Sequence, residues 1–193
     1  MKIGILGGSF NPPHIGHLIL AQEALEAAGL DKVFFIPSNI SPHKSNNLVD
    51  ALKRFKMVQL TISDDKHFQA LDIEIKREGI SFTIDTIRDL KKRYPRDNFY
   101  LIIGSDLAEG FSTWKDYGRI KKEVKIIVAY RKKYPFGSRK YFLPIKITQV
   151  ALSSSQVRSR IKEGRSIRYL VPEKVAEYIK RHGLYTRKET RND

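Results

Sequence analysis

Lys2-Ile3-Gly4-Ile5-Leu6-Gly7-Gly8-Ser9-Phe10-Asn11-Pro12-Pro13-His14-Ile15-Gly16-His17 is the stretch that decides the fold. Lys2–Leu6 is a run of the continuously apolar kind that a buried parallel strand shows. The segment after it cannot be helical at Pro12 and Pro13. From Ile15 to Ala28 the spacing predicts a helix, with Leu18, Ala21, Leu25 and Ala28 on one face and a stop at Gly29. Strand, glycine-bearing loop and helix in that order open an α/β chain.

Working outward, the same alternation continues. Strands are predicted at Val33–Pro37, Phe68–Ile75, Phe99–Ile103, Val124–Ala129 and Leu143–Val150. Helices are predicted over Asp50–Ile62, where Leu52, Phe55, Met57 and Leu60 are the apolar marks, over Phe82–Tyr94 and around Leu107–Ile120. Two closing helices follow at Ser153–Glu163 and Pro172–Arg181. This is the pattern of a doubly wound, Rossmann-like parallel sheet with a helical C-terminal part. Residues 1–186 read as one domain, its helical part beginning near residue 151, and 187–193 as a frayed tail. Ligands of such sheets bind at the carboxyl ends of the strands. The loops after Leu6, Pro37, Ile75, Ile103 and Val150 are therefore expected to share one crevice.

Composition narrows the classes. The chain has 193 residues, 41% hydrophobic and 30% charged, as a globular protein has. With no cysteine, disulfides, thiolate catalysis and cysteine-bound zinc are excluded. No apolar run approaches the roughly 20 residues a membrane span needs, so no membrane partner and a cytoplasmic location are expected. The net charge of +15 is unevenly spread. Residues 1–130 hold 19 Lys+Arg against 16 Asp+Glu, and residues 131–193 hold 17 against 5. A solvated basic surface, a nucleic-acid partner and a triphosphate site all fit that excess.

The chemistry sits in the loops. Gly7 and Gly8 let backbone approach a ligand that a side chain would block. The helix from Ile15 turns its free amides and positive dipole end into the same space, which suits phosphate. His14 and His17, three apart, share a face there and can donate to oxygens that gain charge during phosphoryl transfer. The blander readings are an ordinary turn and a metal-binding pair, though no carboxylate or third histidine lies near in sequence. In Pro37-Ser38-Asn39-Ile40-Ser41-Pro42-His43-Lys44, Lys44 is either solvated or a cation for anions that must approach each other. Asp106, ending a strand, can accept from ribose hydroxyls. Trp114, the only tryptophan, is a core anchor or a stacking face for a flat ring. Ser153 to Ser155 cap a helix, with Arg158 one turn on. Asp72 and Glu74, alternating along a predicted strand, are expected to pair with nearby Arg or Lys.

Taken as strings, these segments resemble the bacterial nicotinate mononucleotide adenylyltransferases, within the nucleotidylyltransferases that carry a His-x-Gly-His box. The resemblance rests on Gly7-Gly8-Ser9-Phe10-Asn11-Pro12 with His14-Ile15-Gly16-His17, and on Pro42-His43-Lys44. It extends through Asp72-Ile73-Glu74, Gly79-Ile80-Ser81-Phe82-Thr83, Gly104-Ser105-Asp106, Trp114 and Leu152-Ser153-Ser154-Ser155-Gln156-Val157-Arg158 to Ile167–Pro172 and Tyr185. Phe82 stands where the family has Tyr, and Lys115 where aromatics are frequent.

The resemblance implies transfer of AMP from ATP to nicotinate mononucleotide. Gly7, Gly8, Ser9, Phe10, His14, Gly16, His17, Ser154 and Arg158 would then bind ATP. Lys44, Thr83, Gly104, Asp106 and Trp114 would bind the mononucleotide, and His14, His17 and Lys44 would be catalytic. Mg2+ would come with the ATP phosphates, no protein-held metal being implied. The partners are these small molecules and not nucleic acid; self-association is left open. Two rivals stand beside this reading. One is a relative using another phosphate ester such as phosphopantetheine. The other is a basic nucleic-acid module whose platform would include Tyr130, Tyr134, Phe136, Tyr141 and Phe142.

Overall fold

The computed structural model describes residues 1–42, 48–130 and 141–186. Six parallel strands make one sheet: β1 (Lys2–Gly8), β2 (Lys32–Pro37), β3 (Phe68–Ala70), β4 (Asn98–Gly104), β5 (Lys125–Tyr130) and β6 (Phe142–Lys146). Their order is β3-β2-β1-β4-β5-β6. The chain winds outward from β1 through β2 to β3, crosses back, and builds β4 on the other flank of β1. Ile3 stands beside Phe99 and Ile5 beside Leu101 across that junction. Strand order therefore reverses between β1 and β4, which is where a doubly wound sheet opens a crevice.

Both faces of the sheet are covered, and the strands alternate to match. Ile3, Ile5, Phe34, Ile36, Phe99, Leu101, Ile103, Ile126 and Val128 belong to one buried cluster. Leu6, Val33, Phe35, Tyr100, Ile102, Ile127 and Ala129 belong to the other. A continuous apolar run is what such two-sided burial requires. Gly4 is needed here for packing, because a Cβ would stand 2.8 Å from Ile102 Cδ1 and 2.9 Å from Leu30 Cδ1.

The second face carries α1 (Ile15–Ala27) and α2 (Ala51–Thr61). The first carries α4 (Thr83–Arg93), α5 (Ser105–Glu109) and α6 (Tyr117–Glu123). The helical C-terminal part is α7 (Ser154–Lys162) and α8 (Glu173–Arg181), whose Val157, Val175 and Ile179 share a core with Met57 of α2. No helix among the described residues is long and apolar enough to cross a membrane.

Three expectations need correction. The strand expected over Phe68–Ile75 ends at Ala70, and Ile73–Arg77 is a short helix, α3. The stretch near Leu107–Ile120 is broken into α5, a 3-10 turn at Phe111–Thr113 and α6. The strand expected over Leu143–Val150 is β6, ending at Lys146. The tail 187–193 lies outside the described residues.

Asp72 and Glu74 are consequently not two points on one strand face. Asp72 stands at the N-cap position of α3 without a side-chain cap bond and pairs with Lys76 at 3.0 Å. Glu74 is buried, and its Oε1 accepts from Thr86 Oγ1 at 2.6 Å, while Arg77 Nη2 donates to the same hydroxyl at 3.1 Å. Burial raises the Glu74 pKa above 4.5, and the Thr86, Ser81 and Arg77 contacts only partly oppose it. From 4.5 up to its raised folded value the folded protein binds the proton more tightly than the unfolded chain, so this group's contribution falls as pH rises through that interval. Glu74→Gln cannot ionise. Its melting temperature relative to the wild type should therefore climb by a few degrees from pH 4 to pH 8; a constant difference across that range would refute the assignment.

Candidate active site

The crevice is assembled from helix N-termini. A helix that follows or precedes a parallel strand begins at the carboxyl end of the sheet, so α1, α4, α5 and α7 all start there. Their first amides lack helical partners and their dipoles point positive ends at the same space.

His14 and His17 open α1. The His14 backbone N–H donates to His17 Nδ1 at 3.1 Å, one half of a reciprocal capping box. Nδ1 of His17 is thus an acceptor, and the neutral ring carries its proton on Nε2, in donor form. The two rings lie 3.8 Å apart between centroids, tilted by 31°. Gly16 permits this: a Cβ there would be 3.1 Å from the His14 ring.

Phe10 supports the pair from below. It is 1% exposed and meets the His17 ring edge-on at 5.0 Å between centroids. Its φ of +45° lies in the left-handed region, which costs about 1–2 kcal/mol for a residue with a Cβ. Burying the ring stabilises by a comparable ~1.5–3 kcal/mol. Gly7 differs from Gly4: nothing lies within 4 Å of a Cβ built on it, so that Cβ would stand in open space near the carboxyl end of β1.

The C-terminal part reaches this loop from far along the chain. Ser154 Oγ donates to Pro12 O at 2.8 Å, and Arg158 Nη1 donates to Asn11 O at 2.8 Å. Arg158 Nη2 also donates to Ser155 Oγ at 3.0 Å. Ser153 accepts from Gln156 N as the α7 cap. The structure brings Ser154 and Arg158 to the histidine loop, with their donors placed on its carbonyls. Tyr185 OH donates to Asn11 Oδ1 at 2.9 Å, and burial holds this hydroxyl well above the usual phenol pKa, so it stays protonated.

The other wall lies at α4 and α5. Thr83 is the first residue of α4, and its cap Phe82 offers no side-chain bond. Lys115 Nζ lies 4.3 Å over the Phe82 ring and 3.1 Å from Asp85 Oδ2, filling the side where an aromatic was absent from the sequence. Trp114 is partly buried against Phe111, 5.4 Å between ring centroids. Asp106 sits exposed in the first turn of α5, its carboxylate lying over the bare Cα of Gly104, where a Cβ would oblige it to turn away. The loop after β2 is stitched to this wall: Asn39 N donates to Ser81 Oγ at 2.9 Å, and Ser81 N to Ile40 O at 2.9 Å. Its outer portion, with His43 and Lys44, lies outside the described residues.

Sequence reasoning missed Arg54, Asn11 and Tyr185, which hold these loops from beneath. The buried face of α2 runs Arg54, Met57, Val58, Thr61. That 3–4–7 spacing was the available signal, masked because an arginine in a helix ordinarily reads as solvated. Of the aromatics offered as a nucleic-acid platform, Phe142 is 7% exposed and Tyr141 packs on the core. Tyr134 and Phe136 lie outside the described residues. Among the described residues no group of three or more His, Asp or Glu could cage a metal.

Known proteins were compared with this chain. A sequence profile of the cytidylyltransferase-like family matches residues 5–160. A protein of Exiguobacterium sibiricum named "Probable nicotinate-nucleotide adenylyltransferase" is 42% identical over 192 residues, covering 96% of this chain and 99% of its own. One of the same name from Dictyoglomus thermophilum is 42% identical, covering 96% and 100%. In fold, the chain is similar to Plasmodium falciparum nicotinic acid mononucleotide adenylyltransferase complexed with NaAD, with a TM-score of 0.80 at 21% identity over 95% and 97% of the two chains. Identity above 40% along nearly the whole of both sequences leaves no room for a merely shared fold, and this chain belongs to the nicotinate-nucleotide adenylyltransferases of the cytidylyltransferase-like family.

Proposed function

We propose that the protein transfers AMP from ATP to nicotinate mononucleotide, releasing pyrophosphate and nicotinate adenine dinucleotide. The observation that carries this is the His14–His17 pair at the β1/β4 switch point, beside an open Gly7. The mononucleotide phosphate is already anionic at neutral pH and needs no general base. One of its oxygens attacks the ATP α-phosphorus in line, and the bond to the bridging oxygen of pyrophosphate breaks with its electrons leaving on that group. No covalent enzyme intermediate forms. Catalysis is positioning plus charge stabilisation.

His17 donates from Nε2 to the α-phosphate oxygens as they gain charge, and His14 steadies the same group. Lys44 is assigned to the incoming phosphate, and Ser154 with Arg158 to the leaving pyrophosphate. To do so Ser154 exchanges the Pro12 carbonyl for a phosphate oxygen, whereas Arg158, with five N–H donors, can keep Asn11 O. Asp106 takes ribose hydroxyls and Trp114 the pyridine ring. Apart from the lone Asp106 carboxylate the site offers N–H, hydroxyl and imidazole groups, and no acidic cluster among the described residues would hold a cation, so Mg2+ would be held by the phosphates of ATP and would neutralise their charge.

Mixing the protein with Mg-ATP and nicotinate mononucleotide should yield one pyrophosphate per dinucleotide formed. ATP consumption without dinucleotide would refute the reading. Gly7 gives a sharper check, because its Cβ collides with nothing in the protein. Gly7→Ala should keep the wild-type melting temperature while raising the KM for ATP about tenfold, a loss of ~1.4 kcal/mol. An unchanged KM would place ATP elsewhere.

A further inference from the structure

Arg54 is the largest side chain buried at under 2%, being 1% exposed. Burial lowers its pKa below the ordinary guanidinium value, with Tyr185 and Asp50 opposing. Each nitrogen of its guanidinium donates to a backbone carbonyl of a different segment. Nη1 reaches Ser9 O at 2.8 Å in the loop after β1, Nη2 reaches Asn39 O at 3.0 Å, and Nε reaches Val49 O at 2.8 Å. Asn39 and Val49 flank the segment that carries His43 and Lys44. Both are pinned a second time: Asn39 N donates to Ser81 Oγ, and Val49 N donates to Asn11 Oδ1 at 3.2 Å. One planar fork thus closes the ends of the loop after β2 and ties them to the loop that bears the histidines.

We propose that Arg54 is a positioning residue that sets the register between the ATP-binding loop at Ser9–Asn11 and the acceptor loop closed at Asn39 and Val49. It touches neither substrate. Three carbonyls on three segments are each met by a different nitrogen of one planar group, which suits a rigid fork and not a single ammonium. In-line transfer needs the two phosphates held within a fraction of an ångström, so slack between the loops lowers turnover more than it weakens either substrate. The effect on turnover rests on the proposed adenylyl transfer; the mechanical coupling does not.

Two measurements test it. In the wild type, adding the non-transferable analogue α,β-methylene-ATP should slow amide hydrogen exchange at Asn39 and Val49 as well as at Gly7–His17. In Arg54→Lys the analogue should still protect Gly7–His17, and Val49 through its own bond to Asn11, with the effect at Asn39 lost. No protection at Asn39 in the wild type overturns the proposal, and so does its survival there in the variant; the wild-type arm decides even if the variant fails to fold. In steady state Arg54→Lys should lose about tenfold in kcat with both KM values within about threefold. Unchanged kcat, or a lowered melting temperature alone, overturns the role in turnover. Failure of the functional reading shows separately, as a wild type that makes no dinucleotide, and leaves the exchange arm to decide the coupling.

Discussion

His17→Ala is expected to lower kcat about 10²–10³-fold while ATP affinity stays within about threefold. The reason is where the charge develops. In bound ATP the α-phosphate oxygens share one negative charge, and the N–H donors at the start of α1 already serve it. As the acceptor oxygen closes on phosphorus, charge builds on those oxygens, and a donor held by the His14 N–H to His17 Nδ1 bond meets it without reorganising. The variant also loses that acceptor at the helix start, which costs about 0.5–2 kcal/mol of stability. His17→Gln separates the two effects. A glutamine at this position can reach back to the His14 amide, as in an ordinary capping box, but brings no imidazole. Both variants should be slow, and only the alanine should melt earlier. If His17→Ala keeps kcat within threefold of the wild type, the imidazole is not at the reacting phosphate.

The sequence carried the first half of this site well because each feature there has a local cause. Two-sided burial demands the apolar run of β1, Pro12 and Pro13 forbid helix, and the histidines lie one turn apart. The Phe68–Ile75 misreading also has a local cause. Phe68, Ala70, Ile73 and Ile75 mimic a strand, but β3 pairs with β2 only through Phe68–Ala70, after which a new helix starts at Ile73. Propensity could not weigh that end, since the ladder stops at Phe35 although β2 itself runs on to Pro37. Arg54 and Tyr185 were illegible for a stronger reason. Arg54 bonds three carbonyls 5 to 45 positions away, and Tyr185 bonds Asn11 across 174. The carbonyls that Arg54 meets leave no residue-type signature beyond the buried spacing of α2, and the side-chain pair Tyr185–Asn11 is too far apart along the chain for any local pattern to announce it. Ser154 and Arg158 lay between these cases: the Ser153–Gln156 capping box that opens their helix is local, while their contact with residues 11 and 12 spans 142 to 147 positions.

Nicotinate mononucleotide should beat the nicotinamide form by about tenfold to a hundredfold in kcat/KM, which is ~1–3 kcal/mol. The start of α4 supplies the discrimination. Bonding back to Phe82 O begins with Asp85 N and Thr86 N, so the Thr83 and Ile84 amides precede the first helical bond, and Phe82 adds no side-chain cap. Those amides and the dipole end favour a carboxylate, whereas an amide would turn its own donor hydrogens against them. The nearest acidic group works the other way, since Asp85 sits in this first turn. Lys115 at 3.1 Å and Arg88 at 3.2 Å offset that charge, and the Lys115 ammonium over Phe82 keeps the surroundings positive. Lys115→Met should therefore narrow the preference by exposing Asp85, and Thr83→Ala should leave it standing because the contact is through backbone. Trp114→Ala should weaken both acceptors alike, a stacking face being indifferent to the substituent. The comparison is kcat/KM for the two mononucleotides at matched Mg-ATP. Equal or better use of the nicotinamide form would mean that the acceptor ring is recognised by side chains away from α4.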